Sequence, residues 1–383
     1  MQHVGDGDVE SGEPGQVKGR LVVAAEPGTR EPDEVVELVL DQESALDPKK
    51  HLRDGLSAVV SVDDVLWLAN DETTSLEQLT RTGPGRYAEQ QTFDLSSLLG
   101  LGDEASGEID IEGLAVDETR IWLLGSHSTV RGRVKKNDSD REAIESLASI
   151  EPSPGRRVLA RIPFDRLLDA DGDHDGGSAA VERLDLVELL VDDRHLSPFL
   201  RQGSGDEEHL VIPGKDNGLD MEGLAVRGSR VFVGLRGPVL RGWAVVLELD
   251  IADGTSLQPR PLTDDGQVYR KHFVDLGGLG IRDLSFDGED LLVLAGPTME
   301  LDGRIAVYRW KRVPEGAGDT LTRSDGLDLV LNVRFGRGTD RAEGMTIVEG
   351  KGDKRLLVVY DVPAPSRKIG DHTVLADLFE IHA

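Results

Sequence analysis

The chain lacks cysteine in all of its 383 residues. Disulfides, cysteine-ligated zinc and iron–sulfur clusters are therefore excluded. Aromatic residues are scarce, at 4%. No apolar run reaches the ~18 residues that a membrane-spanning helix needs. Positive charge is outweighed, with 43 Lys and Arg against 72 Asp and Glu and a net charge of −29. That balance argues against nucleic acid and anionic membrane as partners, since both need basic surface, and it favours solubility and cation binding. Arginine predominates over lysine, which fits either a GC-rich coding bias or a salt-adapted host. No G-x-S-x-G elbow, H-E-x-x-H pair or phosphate-binding loop occurs. Residues 1–19 are acidic and glycine-rich, without a basic segment leading into an apolar stretch. They read as a disordered leader on a cytoplasmic protein.

Against these absences stands a repeat. Arg53-Asp-Gly-Leu-Ser-Ala-Val59, Ile111-Glu-Gly-Leu-Ala-Val116, Met221-Glu-Gly-Leu-Ala-Val226, Arg282-Asp-Leu-Ser-Phe286 and Ala342-Glu-Gly-Met-Thr-Ile347 are variants of one segment. Each is followed, after a short polar turn, by a hydrophobic segment such as Val65–Ala69, Ile121–Gly125 or Leu356–Tyr360. A strand, a tight turn and a second strand recurring at blade length predict radial repetition. The expected fold is all-β, a single β-propeller over residues 20–383 with five blades, six being the alternative. The interval between the second and third copies is nearly double the others, which implies insertions at about residues 131–156 and 169–180 rather than an extra blade. The last blade has only three strands, the copy included, so Val35–Leu40 is expected to supply the fourth and close the ring. Residues 181–187 read as the fourth strand of the second blade, and 141–148 and 164–168 as short helices.

Each copy also carries a carboxylate: Asp54, Glu112, Glu222, Asp283 and Glu343. Radial repetition brings these to one channel mouth, together with residues that follow the second strands, Asp71, His127 and Arg236 among them. Converging carboxylates repel unless a cation, an arginine or a retained proton sits between them. One reading places a divalent cation, calcium or magnesium, on ring carboxylates that include Asp283 and Glu343. His127, Glu112, Glu222 and Arg236 then form the catalytic set, and Arg282, Lys215 and Asp71 hold an anionic small-molecule substrate. The other reading has the acids capping backbone amides and pairing with neighbouring arginines. A separate segment, Asp171-Gly-Asp173-His-Asp175-Gly-Gly177 with Glu182, satisfies calcium-loop spacing. A solvated acidic loop explains it equally.

Leu66–Glu72, Asp110–Ala115, Gly125–Ser128, Gly218–Ala225 and Gly234–Pro238 together resemble a bacterial family classed as a domain of unknown function, itself similar to the esterase-like phytase propellers. The resemblance covers roughly residues 50 to 380. It implies the propeller fold and leaves the activity open. Two function classes follow: a divalent-metal-dependent hydrolase of a phosphate ester or lactone, or a non-catalytic propeller that binds a ligand or protein on the same face.

Overall fold

The computed structural model describes residues 28–40, 51–101, 109–151, 153–168, 181–200, 211–252, 257–263, 265–316, 318–349 and 354–382. The expected leader and the whole acidic loop at 169–180 lie outside the described residues. Within them the chain folds as antiparallel meanders in sequence order. The first comprises Leu56–Val62, Val65–Asn70, Ser75–Gly83 and Arg86–Asp94. The second comprises Ile111–Val116, Arg120–Gly125, Leu159–Pro163 and the short Arg183–Leu184. The third runs Asp220–Arg227, Arg230–Gly237, Trp243–Ile251 and Tyr269–Asp275, and the fourth Gly280–Asp287, Asp290–Gly296, Ile305–Trp310 and Leu327–Val333. The last has Arg341–Glu349, Lys354–Asp361 and Thr373–Glu380. Its outer strand is Glu34–Val39, antiparallel to Thr373–Glu380 with Leu38 opposite Val374. Each innermost strand packs beside the next, and Arg341–Glu349 packs back on Leu56–Val62. The fold is a β-propeller.

The repeated Glu-Gly pair now has a physical explanation. The innermost strands bulge early, with register shifts at Leu56/Ala58, Ile111/Gly113, Met221/Gly223, Ile281/Asp283 and Ala342/Gly344. A bulge leaves one residue outside the ladder. The glycine that follows is there because the neighbouring innermost strand comes too close for a side chain. A Cβ on Gly113 would meet the Glu222 carbonyl oxygen at 2.8 Å, and one on Gly344 would meet Ala58 Cα and Val59 N at 3.1 Å.

Facing sheets bury the next residues of the motif. Trp67 and Leu76 pack on Ile111 and Leu123, and Leu66 and Leu79 pack on Leu357 and Leu378 across the closure. Each such leucine contributes about 1.5–3 kcal/mol.

One local expectation needs adjustment, one is met, and one strand was not foreseen. Residues 181–187 form only a two-residue strand, because Asp185 accepts the Val187 N–H at 2.8 Å and starts the helix Leu186–Leu190. The insertion at 131–156 is ordered around the helix Asp140–Ala148, whose Ser139 and Glu142 form a reciprocal cap. A further strand, Thr320–Thr322, adds in parallel to Tyr269–Asp275. Among the described residues, no helix is long and apolar enough to cross a membrane.

Candidate functional site

The bulge register corrects the carboxylate ring in two places. The residues at equivalent bulged positions are Ser57, Glu112, Glu222, Arg282 and Glu343. Asp54 is not among them. It ends the short 3-10 turn Leu52–Asp54, and its carboxylate pairs with Lys368 at 2.7 Å. Asp283 stands one residue late, where three blades have glycine and the first has Ala58. Its carboxylate accepts the N–H groups of Leu284 and Met345, each at 2.7 Å, and so ties the fourth meander to the last. Asp283 is a backbone cap in this structure. Ser57 donates to the Ile111 carbonyl at 2.5 Å, bridging the first two meanders in the same manner.

Two arginines neutralise part of the ring. Arg236 bonds Asp220 and lies 2.7 Å from Glu222. Arg282 reaches Glu222 at 3.2 Å and Glu343 at 2.5 Å. Burial opposes these charges, but Asp220 and Glu222 hold Arg236 protonated, and Glu222 and Glu343 do the same for Arg282. Burial pushes Glu222 up to about 7 against the pull of both guanidinium groups. The guanidinium groups thus sit where a ring-bound metal would need to be. Among the described residues, no three acidic or histidine side chains converge to hold a metal ion. The ring, Glu343 included, does not fit a resident divalent cation.

Above the ring opens a cavity of about 1040 Å³, whose lining includes Asp71, Asp110, Glu112, Asp220, Asp361 and Lys215. Asp71 follows the second strand of the first meander, Asp361 ends that of the last, and both flank Gly55. The Asp71 N–H donates to the Gly55 carbonyl at 3.3 Å, Asp361 bridges Gly55 across the strands, and a Cβ on Gly55 would strike Asp71 Oδ1 at 2.7 Å. Burial, then Asp361 and Glu343, push Asp71 up to about 9. Burial and Glu343 push Asp361 up to about 7.

Glu112 is only 9% exposed. Burial raises its carboxyl well above the usual range, and Asp110, Glu222, Glu343 and Asp71 push it the same way. It has no hydrogen bond or ion pair among the described residues. Asp110, by contrast, pairs with Arg156 at 2.7 Å. Perturbed carboxyls gathered in one concave place make this the candidate functional site.

His127 does not belong to this cavity. Its Nδ1 donates to the Gly125 carbonyl at 2.8 Å, and its Nε2 accepts the Leu186 N–H at 3.2 Å. Burial lowers its pKa to about 4. The ring is therefore a neutral crosspiece between the second meander and the helix Leu186–Leu190, and it borders a separate pocket of about 350 Å³. The expected acid or base role at the channel mouth is corrected accordingly. Arg236 and Arg282 lie below the cavity, in the ring, whereas Lys215 and Asp71 face it. Asp171, Asp173, Asp175 and Gly177 lie outside the described residues; the Glu182 carboxylate accepts the Leu257 N–H at 2.7 Å. The sequence expectation omitted Asp110, Asp220 and Arg156. The first two stand two residues before a bulge, a position that follows from the repeat once the bulge is placed. Arg156 comes from the insertion, where no repeat signal exists.

Residues 55–377 match the family described as "Protein of unknown function (DUF3616)". The chain belongs to that family. No curated protein matches the sequence. Among solved structures, the glutaminyl cyclase of Myxococcus xanthus shares 11% identity over 92% of this chain and 100% of its own, with a TM-score of 0.35. The PQQ-bound aldose sugar dehydrogenase of Streptomyces coelicolor shares 10% identity over 92% and 99%, with a TM-score of 0.34. The β-propeller domain of Myceliophteria thermophila Cps50 (Swd1) shares 9% over 87% and 100%, with a TM-score of 0.32. Likenesses this distant leave the activity of this DUF3616 chain open.

Proposed function

We propose that this DUF3616 protein is a single five-bladed propeller domain whose channel mouth binds a small cationic ligand. The blade count rests on the innermost strands, which neighbour one another in a closed ring. The binding reading rests on one observation above all. Glu112 is nine-tenths buried, borders the cavity and has no donor or cation beside it among the described residues. A carboxylate in that position costs several kcal/mol if ionised alone, so it either keeps its proton or takes a positive partner. Asp71 and Asp361 add to the excess, and their field draws cations to the mouth. The cavity volume suits a small molecule.

Of the two classes drawn from the sequence, ligand binding is the better supported, since ring arginines take the place of the catalytic metal. A metal-free hydrolase is the second reading, favoured by one feature. Asp71 and Asp361 flank the same glycine with carboxyls poised about 9 and about 7, an arrangement suited to a general acid beside a general base. The likeness to esterase-like phytases would belong to that reading.

Thermal shift at pH 7 with methylammonium and putrescine, and with calcium and magnesium as comparators, tests the proposal. Stabilisation by the amines that disappears in Glu112→Gln supports it. Indifference to every amine would overturn it, and stabilisation by the divalent ions alone would return the site to the metal-dependent hydrolase reading.

A further inference from the structure

The helix Asp140–Ala148 is firmly held and yet covers nothing. None of its nine residues is buried. A helix this short is marginal by itself and normally owes its stability to an apolar face packed on the core. Here caps and ties replace that packing. Ser139 and Glu142 close the first turn reciprocally. At the other end Arg131 donates to the Leu147 carbonyl at 2.5 Å and to Asp216 at 2.6 Å. The last turn is thereby fastened to Gly214–Asp216, the turn that leads into the third meander. The stem is the strand pair Val130–Arg131 with Ile150–Glu151. Gly132 is required beside it, because a Cβ there would run into Ser149 Oγ and the Ser146 carbonyl oxygen. The insertion thus sets an unpacked helix at a fixed place.

That place is the edge of the acidic cavity. Leu147 and Val134 border the cavity and are 51% and 46% exposed, and Val362 borders it from the last meander, also exposed. Ile144, one turn before Leu147 on the same helix face, is exposed as well. The acids Glu112, Asp110 and Asp220 border the same cavity but are buried. The cavity is therefore graded, with carboxylates in its depth and apolar side chains at its lip. Arginines at the lip do not interrupt this grading, since Arg131 is taken by Asp216, and Arg341 lies 3.4 Å from Glu300.

Scattered apolar side chains on a surface call for no explanation, whereas apolar groups gathered around one concavity mark a binding surface. A small ammonium ion would satisfy Glu112 and leave the lip in water. A neutral apolar molecule would cover the lip and leave the buried carboxylate unanswered. We infer that the site takes an amphiphilic amine, with its ammonium group on Glu112 and an apolar body of several carbons against Leu147, Val134 and Val362. The inference rests on the cation-binding reading and narrows its ligand class. Charge fixes which end enters first, and the cavity of about 1040 Å³ has room for both parts.

Calorimetry or ligand-observed NMR titration of the full-length protein with methylammonium, butylammonium and hexylammonium tests this, with 1-hexanol as the uncharged comparator. A fully buried methylene is worth about 0.8 kcal/mol, a factor of about four in affinity. With the lip open on one side, hexylammonium is expected to bind at least about tenfold tighter than methylammonium, and at least about tenfold tighter than 1-hexanol. Leu147→Ser combined with Val134→Ser should cut the gain from methyl to hexyl below about threefold. Both side chains are exposed, so the exchange leaves the core packing intact. If hexylammonium binds the wild type no tighter than methylammonium, or the double variant keeps the full gain, the amphiphile inference falls and the cation reading stands. If 1-hexanol matches hexylammonium, or no amine binds, both fall. The wild-type comparison does not depend on the variant.

Discussion

Glu112 and Glu222 occupy equivalent bulges, and substituting each with glutamine should move stability in opposite directions. Glu222 holds Arg236 at 2.7 Å and Arg282 at 3.2 Å, all three side chains buried. Removing its charge leaves Arg236 with Asp220 alone and Arg282 with Glu343 alone, and the lost charge-assisted hydrogen bonds cost about 1.5–3 kcal/mol. Glu112 has no such partner. Its carboxyl is raised in the folded protein by burial and by four acidic neighbours. A carboxyl raised on folding gives stability that is complete below its unfolded value, near 4.3, and is lost as pH climbs toward the folded value. The loss is at most about 1.4 kcal/mol per pH unit, and Glu112→Gln escapes it. The variant should therefore match the wild type near pH 4.5 and become the more stable protein by about 1–3 kcal/mol at pH 8. Urea denaturation of ligand-free wild type, Glu112→Gln and Glu222→Gln at both pH values gives the comparison directly. If Glu112→Gln costs as much at pH 8 as Glu222→Gln does, Glu112 has a cation bound to it and the electrostatic reasoning fails.

Ligand-free protein should lose stability as pH rises through about 7, where Glu222 and Asp361 ionise, and again through about 9, where Asp71 does, giving a falling melting temperature across that window; a flat profile from pH 6 to 9.5 would contradict the raised values. Gly113→Ala should destabilise by about 1–3 kcal/mol, because the added methyl meets the Glu222 carbonyl oxygen and Leu224 Cβ at 2.8 Å, and denaturation showing less than half of the lower figure would mean the innermost strands can move apart. His127→Ala should cost about 1–3 kcal/mol by stranding the Leu186 N–H and Gly125 carbonyl, without weakening amine binding at the channel mouth; a variant of normal stability that no longer binds amines would restore His127 to the site. Calcium calorimetry on the chain with Asp173→Asn and Asp175→Asn tests the 171–182 loop, and an unchanged calcium heat in the variant would remove calcium from it.

The fold was legible in the sequence because its determinants are local and repeated. The strand–turn–strand period, the glycine after three of the five bulges and the apolar stripe of Val35–Leu40 all express local requirements: a close neighbour, a packed face, a covered edge. Residues 181–187 misled for the same reason. Their apolar spacing fits a strand, and only the Asp185 cap, a single side-chain bond, turns them into a helix.

The site was legible only in part, because it lives in departures from the repeat. Matching carboxylate to carboxylate selected Asp54 and Asp283, whereas the backbone matches bulge to bulge and puts Ser57 and Arg282 in the ring. The difference of one residue reverses the chemistry. Read as Asp283, the fourth blade adds negative charge and the ring needs a metal. Read as Arg282, it adds the positive charge that binds Glu222 and Glu343 together, and the demand for a cation moves up to Glu112. Arg236 shifts the balance in the same direction by taking Asp220 and the remaining face of Glu222. Of the bulged acids, Glu112 alone makes no hydrogen bond or ion pair among the described residues. The chain thus spends its arginines on one side of the ring and leaves the other open, so the site is defined by where neutralisation stops.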